Sequence, residues 1–148
     1  MRKRKANRWQ AGFTLIELVA VVGILLVLIV ALLPRLEANR LSSNDTVVQS
    51  YLREVQKYQE MYYGFNRRYA NSLAQLQALV PPLENPPTNP PVTVQFITTG
   101  VDYNREYCVL ASTNVGQYWY QATSKGVRPR TTHPATGAAP TSCDFTLY

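Results

Sequence analysis

An α+β fold is what this chain predicts: a long N-terminal helix packed on a small antiparallel β-sheet. Three observations carry that expectation. An apolar run from Phe13 to Leu33 holds a single charge, Glu17. Between Pro34 and Gly64, apolar residues recur at three- and four-residue steps with no glycine or proline to interrupt them. After a proline-rich stretch come three β-rich segments, punctuated by turn residues.

The apolar run is long enough to cross a bilayer as a helix, which takes about 20 residues at 1.5 Å each. A carboxylate in such a run is costly, roughly 2.5–3.5 kcal/mol if it reaches the centre, so Glu17 calls for a purpose. Arg2, Lys3, Arg4, Lys5 and Arg8 precede the run. Those charges hold the N-terminus in the cytoplasm and place everything beyond Leu33 outside it. A secretory signal has a shorter apolar core followed by a small-residue cleavage site. Here a glycine comes before the run, and Ala31-Leu32-Leu33-Pro34 fits such a site poorly.

With 148 residues the chain can form one membrane helix and one modest soluble domain. The formal charge of +6 suggests nucleic acid at first sight, but the leader alone holds five of the fifteen Lys and Arg residues and none of the nine acids. Without it the chain is close to neutral. DNA therefore stays open as a partner without support from bulk charge.

At the outer end of the run, Pro34 either kinks the helix or ends it. The following pattern argues for continuation. Val48, Leu52, Val55, Tyr58 or Gln59, Tyr62 and Phe65 form one stripe, with Arg53, Glu54, Lys57 and Glu60 on other faces. Gly64 and Asn66 suit the helix end. Such a helix, from Phe13 to about Gly64, would be ~75 Å long. Ser72 and Gln75 fit a capping box opening a short helix over Leu73–Leu79. Pro81, Pro82, Pro86, Pro87, Pro90 and Pro91 then exclude regular structure, and a stiff surface loop is the favoured reading over a proline-rich ligand.

Three strands are expected over Val92–Thr98, Tyr103–Thr113 and Tyr118–Thr123, with turns at Gly100, Asn114-Val115-Gly116 and Lys125-Gly126. Hairpin connections imply an antiparallel sheet, one face of which covers the outer helix stripe. Val127–Tyr148, rich in Thr, Pro and Ala, reads as an irregular tail. Tyr51, Tyr58, Tyr62 and Tyr69 step along one helical side; packing between helix and sheet is favoured over a charge path or a DNA-stacking surface. Asn44-Asp45-Thr46 fits a glycosylation sequon, placed mid-helix.

The only two cysteines, Cys108 and Cys143, both lie on the exported side. An even count in an oxidising compartment reads as a disulfide rather than two free thiols. The chain-entropy term for a loop of this length is ~3–4 kcal/mol. No CxxC spacing exists and His133 stands alone, so no metal site and no cofactor are expected. Nor is an enzyme: there is no GxSxG, no phosphate-cradling glycine loop and no pair of acids with an obvious shared site.

The basic leader, Gly12, and then Phe13-Thr14-Leu15-Ile16-Glu17 ahead of an apolar helix resemble the prepilin signal of type IV pilins and pseudopilins. The resemblance implies a leader peptide over 1–12, cut between Gly12 and Phe13 by a prepilin peptidase that also N-methylates Phe13. A transmembrane or filament-core helix over 13–34 follows, then the outer half of the helix over 35–66 and a globular head over 67–148. It further implies that Glu17 neutralises the N-terminal amine of a neighbouring subunit and sets axial register. Phe13 and Glu17, four apart, also read as a pair within one helix. Pro34 matches the helix-bending proline of pilins, and a Cys108–Cys143 bond would resemble their C-terminal disulfide loop.

The function implied is that of a structural subunit of a type IV pilus, supporting adhesion, twitching motility or DNA uptake. Its partners would be further copies, other pilins, the peptidase, the assembly platform and the inner membrane. Before assembly it would be a single-pass protein with its head in the periplasm. A type II secretion or competence pseudopilin, or a minor pilin, is the first alternative. Major pseudopilins more often rely on calcium than on a disulfide, and the tail offers only Asp144. A monomeric membrane-anchored binding domain is the second.

Overall fold

The computed structural model describes residues 13–147; the leader and Gly12 lie outside the described residues. The chain divides into two units, the first reaching Glu37 and the second running from Ala38. One helix, α1 (Leu15–Asn66), supplies residues to both, and its helical backbone continues through position 34. In the first unit every apolar side chain described from Phe13 to Leu32 is exposed. A helix apolar all round needs lipid or other helices about it.

The second unit buries the outer stripe. Val48, Leu52 and Val55 are fully enclosed, and Tyr51, Tyr58, Gln59 and Tyr62 are also buried. The stripe ends sooner than its periodicity suggests, because Phe65 is 76% exposed. The helix likewise runs past Gly64 to Asn66, and Arg67 takes the left-handed conformation with φ 57°. Its N–H bonds to the Tyr63 carbonyl (2.8 Å), so an arginine makes the turn where a glycine would be the usual choice. The short helix α2 (Leu73–Gln77) starts at Ser72, but Ser72 gives no side-chain cap. Gln75 instead accepts from the N–H of Asn71 (2.8 Å), the residue before the cap, so the expected capping box does not form.

Strands β1 (Val92–Phe96), β2 (Val109–Thr113), β3 (Tyr118–Thr123) and β4 (Gly126–Pro134) form one antiparallel sheet in the order β1-β2-β3-β4. The fourth strand lies in what the sequence suggests is irregular tail. Pro129 and Pro134 mask it, yet β4 is an edge strand that needs backbone donors on one side only. The second strand is shorter than expected, since Tyr103–Cys108 forms a turn and an extended segment ahead of it. Residues of β2 and β3 are buried on both faces. Val109, Ala111, Tyr120 and Ala122 join the α1 stripe in the main core. Leu110 and Trp119 on the opposite face pack with Ile97, Cys108, Cys143 and Phe145. Each face of the sheet therefore has its own cover.

Candidate functional site

The N-terminal end of α1 is organised by Thr14 and Glu17. Thr14 immediately precedes the helix, where a threonine oxygen can meet an otherwise unpaired N–H. Its hydroxyl oxygen accepts from the Glu17 N–H (3.3 Å). In return the Glu17 carboxylate accepts from the Thr14 N–H (3.1 Å) and the Thr14 hydroxyl (2.9 Å). This is a capping box, and a Thr-x-x-Glu spacing ahead of an apolar run is its sequence signature. The sequence reading of Glu17 looked to Phe13 and overlooked it. The box turns the carboxylate back towards the helix start, and Phe13 beside it is exposed.

From Leu15 to Leu32 the helix is apolar enough to cross a membrane, and none of that window is buried within the chain. Glu17 is its only charged residue. A bare apolar cylinder with one oriented carboxylate at its end is equipped for insertion into lipid and for bundling with other helices.

The outer part of α1 is clasped by the head through a second carboxylate. Asp45 is buried, accepting from the Gln117 N–H (2.9 Å) and from the Tyr120 hydroxyl (3.1 Å). Asn44 donates to the Val115 carbonyl (2.8 Å), so the sequon asparagine is engaged in holding the β2–β3 turn. Gly116 sits so close to Asp45 that an added Cβ would collide with the carboxylate oxygen. Burial raises the Asp45 carboxyl above the usual carboxylate range, against the pull of those hydrogen bonds. The Tyr120 phenol is pushed up to about 12 by burial and by the neighbouring Asp45 charge. Nothing in the sequence marks Asp45 as more than an exposed helix acid; only the docking of the turn gives it partners.

Tyr51, Tyr58, Tyr62 and Tyr69 pack in the main core with strand residues, as expected, and two of them also hold a loop. Tyr51 donates to the Glu84 carbonyl (3.1 Å) and Tyr58 to the Pro82 carbonyl (3.0 Å), pinning the proline-rich loop to α1. Tyr69 lies beyond the helix and sits between the tilted rings of Tyr63 and Tyr107, with ring centres 4.7 and 4.9 Å away.

On the far face of the sheet, Cys108 and Cys143 form a disulfide with Cα atoms 6.3 Å apart. Gln121, fully buried, both donates to the Asp144 carbonyl (2.8 Å) and accepts from the Asp144 N–H (2.9 Å). Buried Arg130 donates to the Gln121 side chain and to the Ser142 carbonyl, both at 2.9 Å. The Asp144 carboxylate accepts from Thr146, a contact that holds its pKa below the usual range. Among the described residues no three His, Cys, Asp or Glu side chains are grouped to hold a metal.

Comparison with known proteins decides what this arrangement belongs to. No family model matches the chain. It is 39% identical over 133 residues to the type IV wide pilus major component PilA4 of Thermus thermophilus, across 89% of this chain and 95% of that protein.

This chain is a type IV pilin.

The pilin is a structural subunit that assembles into a pilus with other pilins. Its apolar N-terminal helix anchors it in the membrane before assembly. The long helix, the antiparallel sheet and the C-terminal disulfide all fit that fold. The sequence-identified residues remain well separated in role. Phe13 and Glu17 belong to the bare end of the helix, Pro34 lies within its helical backbone, and Cys108 and Cys143 fasten the far face of the head.

Proposed function

We propose that the pilin matures by a cut between Gly12 and Phe13 and by N-methylation of Phe13, and then joins a filament shaft through Glu17. The Glu17 carboxylate, held at the helix start by Thr14, is the observation that carries this reading. A free amine created at Phe13 would stand beside that carboxylate or beside a neighbour's, and a pair of opposite charges in an apolar bundle is strongly favoured over either alone. Thr14 satisfies Glu17 until a neighbour's amine takes over.

Before assembly the N-terminus faces the cytoplasm and the head faces the periplasm, as the basic leader dictates. The inner membrane, the peptidase and the assembly platform are its partners at that stage. The leader, the membrane half of the helix to position 34, the outer half to position 66 and the head then act as separate parts, with Pro34 allowing the helix to bend on packing. The chain serves mechanically and performs no catalysis; adhesion, twitching motility and DNA uptake are properties of the filament it builds. A shaft role is consistent with the Thermus relative, named as a major pilus component.

Intact-mass analysis of pili sheared from the native cell tests this directly. The expected mass is that of a chain starting at methylated Phe13 with two hydrogens lost to the disulfide. A mass retaining the leader would overturn the maturation scheme. Glu17→Ala should still be cut yet give few pili, whereas normal pilus yield would remove the pairing role.

A further inference from the structure

Two margins of the head carry charges that find no partner within it. On one margin a groove of about 470 Å³ lies between α1 and the proline-rich loop, lined by Val47, Tyr51, Glu54, Glu84 and Pro87 among others. The groove is built rather than incidental, because Tyr51 ties the loop to the helix through the Glu84 carbonyl. Burial and the Glu54 charge push the Tyr51 phenol up to about 12, so it remains a donor. On the other margin the β3–β4 hairpin presents exposed Lys125 and Arg128. The one ion pair among the described residues joins Asp102 and Arg105, so neither Glu54 and Glu84 nor Lys125 and Arg128 are neutralised there. Lys57, one turn along from Glu54, does not reach it.

The sheet order sets these two margins apart. The groove adjoins β1, where the Val92 N–H bonds to the Pro87 carbonyl, while the hairpin leads into β4. Three strand spacings, about 14 Å, separate the two edges. The groove and the hairpin also lie at opposite ends of their margins. Val92 pairs with Thr113 next to the β2–β3 turn, whereas the Thr123–Gly126 pair closes β3 and β4 at the far end. Copies standing side by side in one orientation would bring the basic hairpin of one to the acidic groove of the next, each displaced along the strands. Such a contact uses two different surfaces and repeats without closing, which is what generates a helical fibre. Opposite charges favour the right register and penalise like-charged juxtapositions.

We infer that the Glu54–Glu84 groove receives the Lys125–Arg128 hairpin of a second copy of this pilin, forming the head-to-head contact of the filament. This rests on the assembly of the pilin into a pilus and names the surfaces that do it. The contact is electrostatic and partly exposed, so pilus stability should fall as salt is raised.

The test is charge exchange in the full chain, expressed in the native cell and read as sheared pilus yield relative to the unassembled membrane pool. Lys125→Glu with Arg128→Glu should lower the yield several-fold, as should Glu54→Lys with Glu84→Lys. All four together should restore it. Wild-type yield from the reversed hairpin, or a fourfold variant no better than either pair, would overturn the contact. As a second readout, Glu84→Cys with Lys125→Cys should give a disulfide-linked ladder in sheared pili, and pili without that ladder would equally refute it. Should the unaltered chain make no pili at all, the maturation and shaft reading fails first, independently of these residues.

Discussion

The two faces of the head sheet are held by different physics. The face towards α1 is covered by a helix that brings its own apolar stripe, Val48, Leu52 and Val55, together with buried tyrosines. The opposite face is covered by a Thr- and Pro-containing tail that contributes little apolar area beyond Cys143 and Phe145. Burial at about 25 cal/mol per Å² secures the first face, and Asn44 and Asp45 bond the helix to the β2–β3 turn and to Tyr120. The second has too little such area, and a covalent bond together with the Gln121–Arg130–Asp144 network takes its place. A segment poor in apolar side chains can still be part of a folded head if a cross-link removes much of the entropy it would regain on release.

Breaking each face in turn should expose this difference. Cys108→Ser with Cys143→Ser should have the largest effect, a loss of about 4 kcal/mol from the loop-closure term. Protease cutting should appear first in the tail, and an unchanged unfolding midpoint would show that the tail needs no cross-link. Leu52→Ala, on the helix face, should cost roughly 3 kcal/mol, within the ~2–5 kcal/mol range for emptied core sites. Leu25→Ala in the bare half of α1 should leave the same denaturant midpoint where it was, because Leu25 is exposed. An equal loss from both would erase the distinction between packed and bare helix. Asp45→Ala should cost about 1–3 kcal/mol by leaving the Gln117 N–H and the Tyr120 hydroxyl without their acceptor.

The smallest and sharpest comparison is in pH. Asp45 has a folded pKa raised by burial, so its contribution is fully present below the unfolded value and is lost as pH rises through the folded one. Asp144 has a folded pKa lowered chiefly by the Thr146 side chain, so its contribution is present above the unfolded value and is lost as pH falls through the folded one. Acid should therefore loosen the tail face while sparing the helix clasp. Hydrogen exchange across the acid range should show Asp144→Asn flattening the response of the tail and Asp45→Asn that of the β2–β3 turn. Identical profiles for both variants would defeat the assignment.

Much of this was legible in the chain because the signals were periodic or compositional. The stripe at Val48, Leu52 and Val55 follows from three- and four-residue spacing, and β3 from its run of β-favouring residues. β4 was not, because Pro129 breaks a central strand and is tolerated only at an edge, and edge position is a property of the finished sheet. Phe65 was misplaced because periodicity states which residues share a helix face and cannot state where the covering element stops. Tyr69 was grouped with the helical tyrosines by its seven-residue step from Tyr62, although the helix ends at Asn66 and Tyr69 lies beyond it.

The sequence by itself determined the class of this protein, its apolar anchoring helix and the residue on which assembly is proposed to turn. Those are local facts: an uninterrupted apolar run, a glycine before it, and one carboxylate three residues after a threonine. Only the tertiary structure decided which acids matter in the head. Asp45 and Asp144 look alike in the chain, yet one is buried against a hairpin and the other caps its own turn. The physical reason is that a charge takes its meaning from the dielectric and the donors around it. Asp144 draws its donors from Thr146, close by in the chain. Asp45 draws its own from Gln117 and Tyr120, distant in sequence and brought to it only when the sheet closes over the helix.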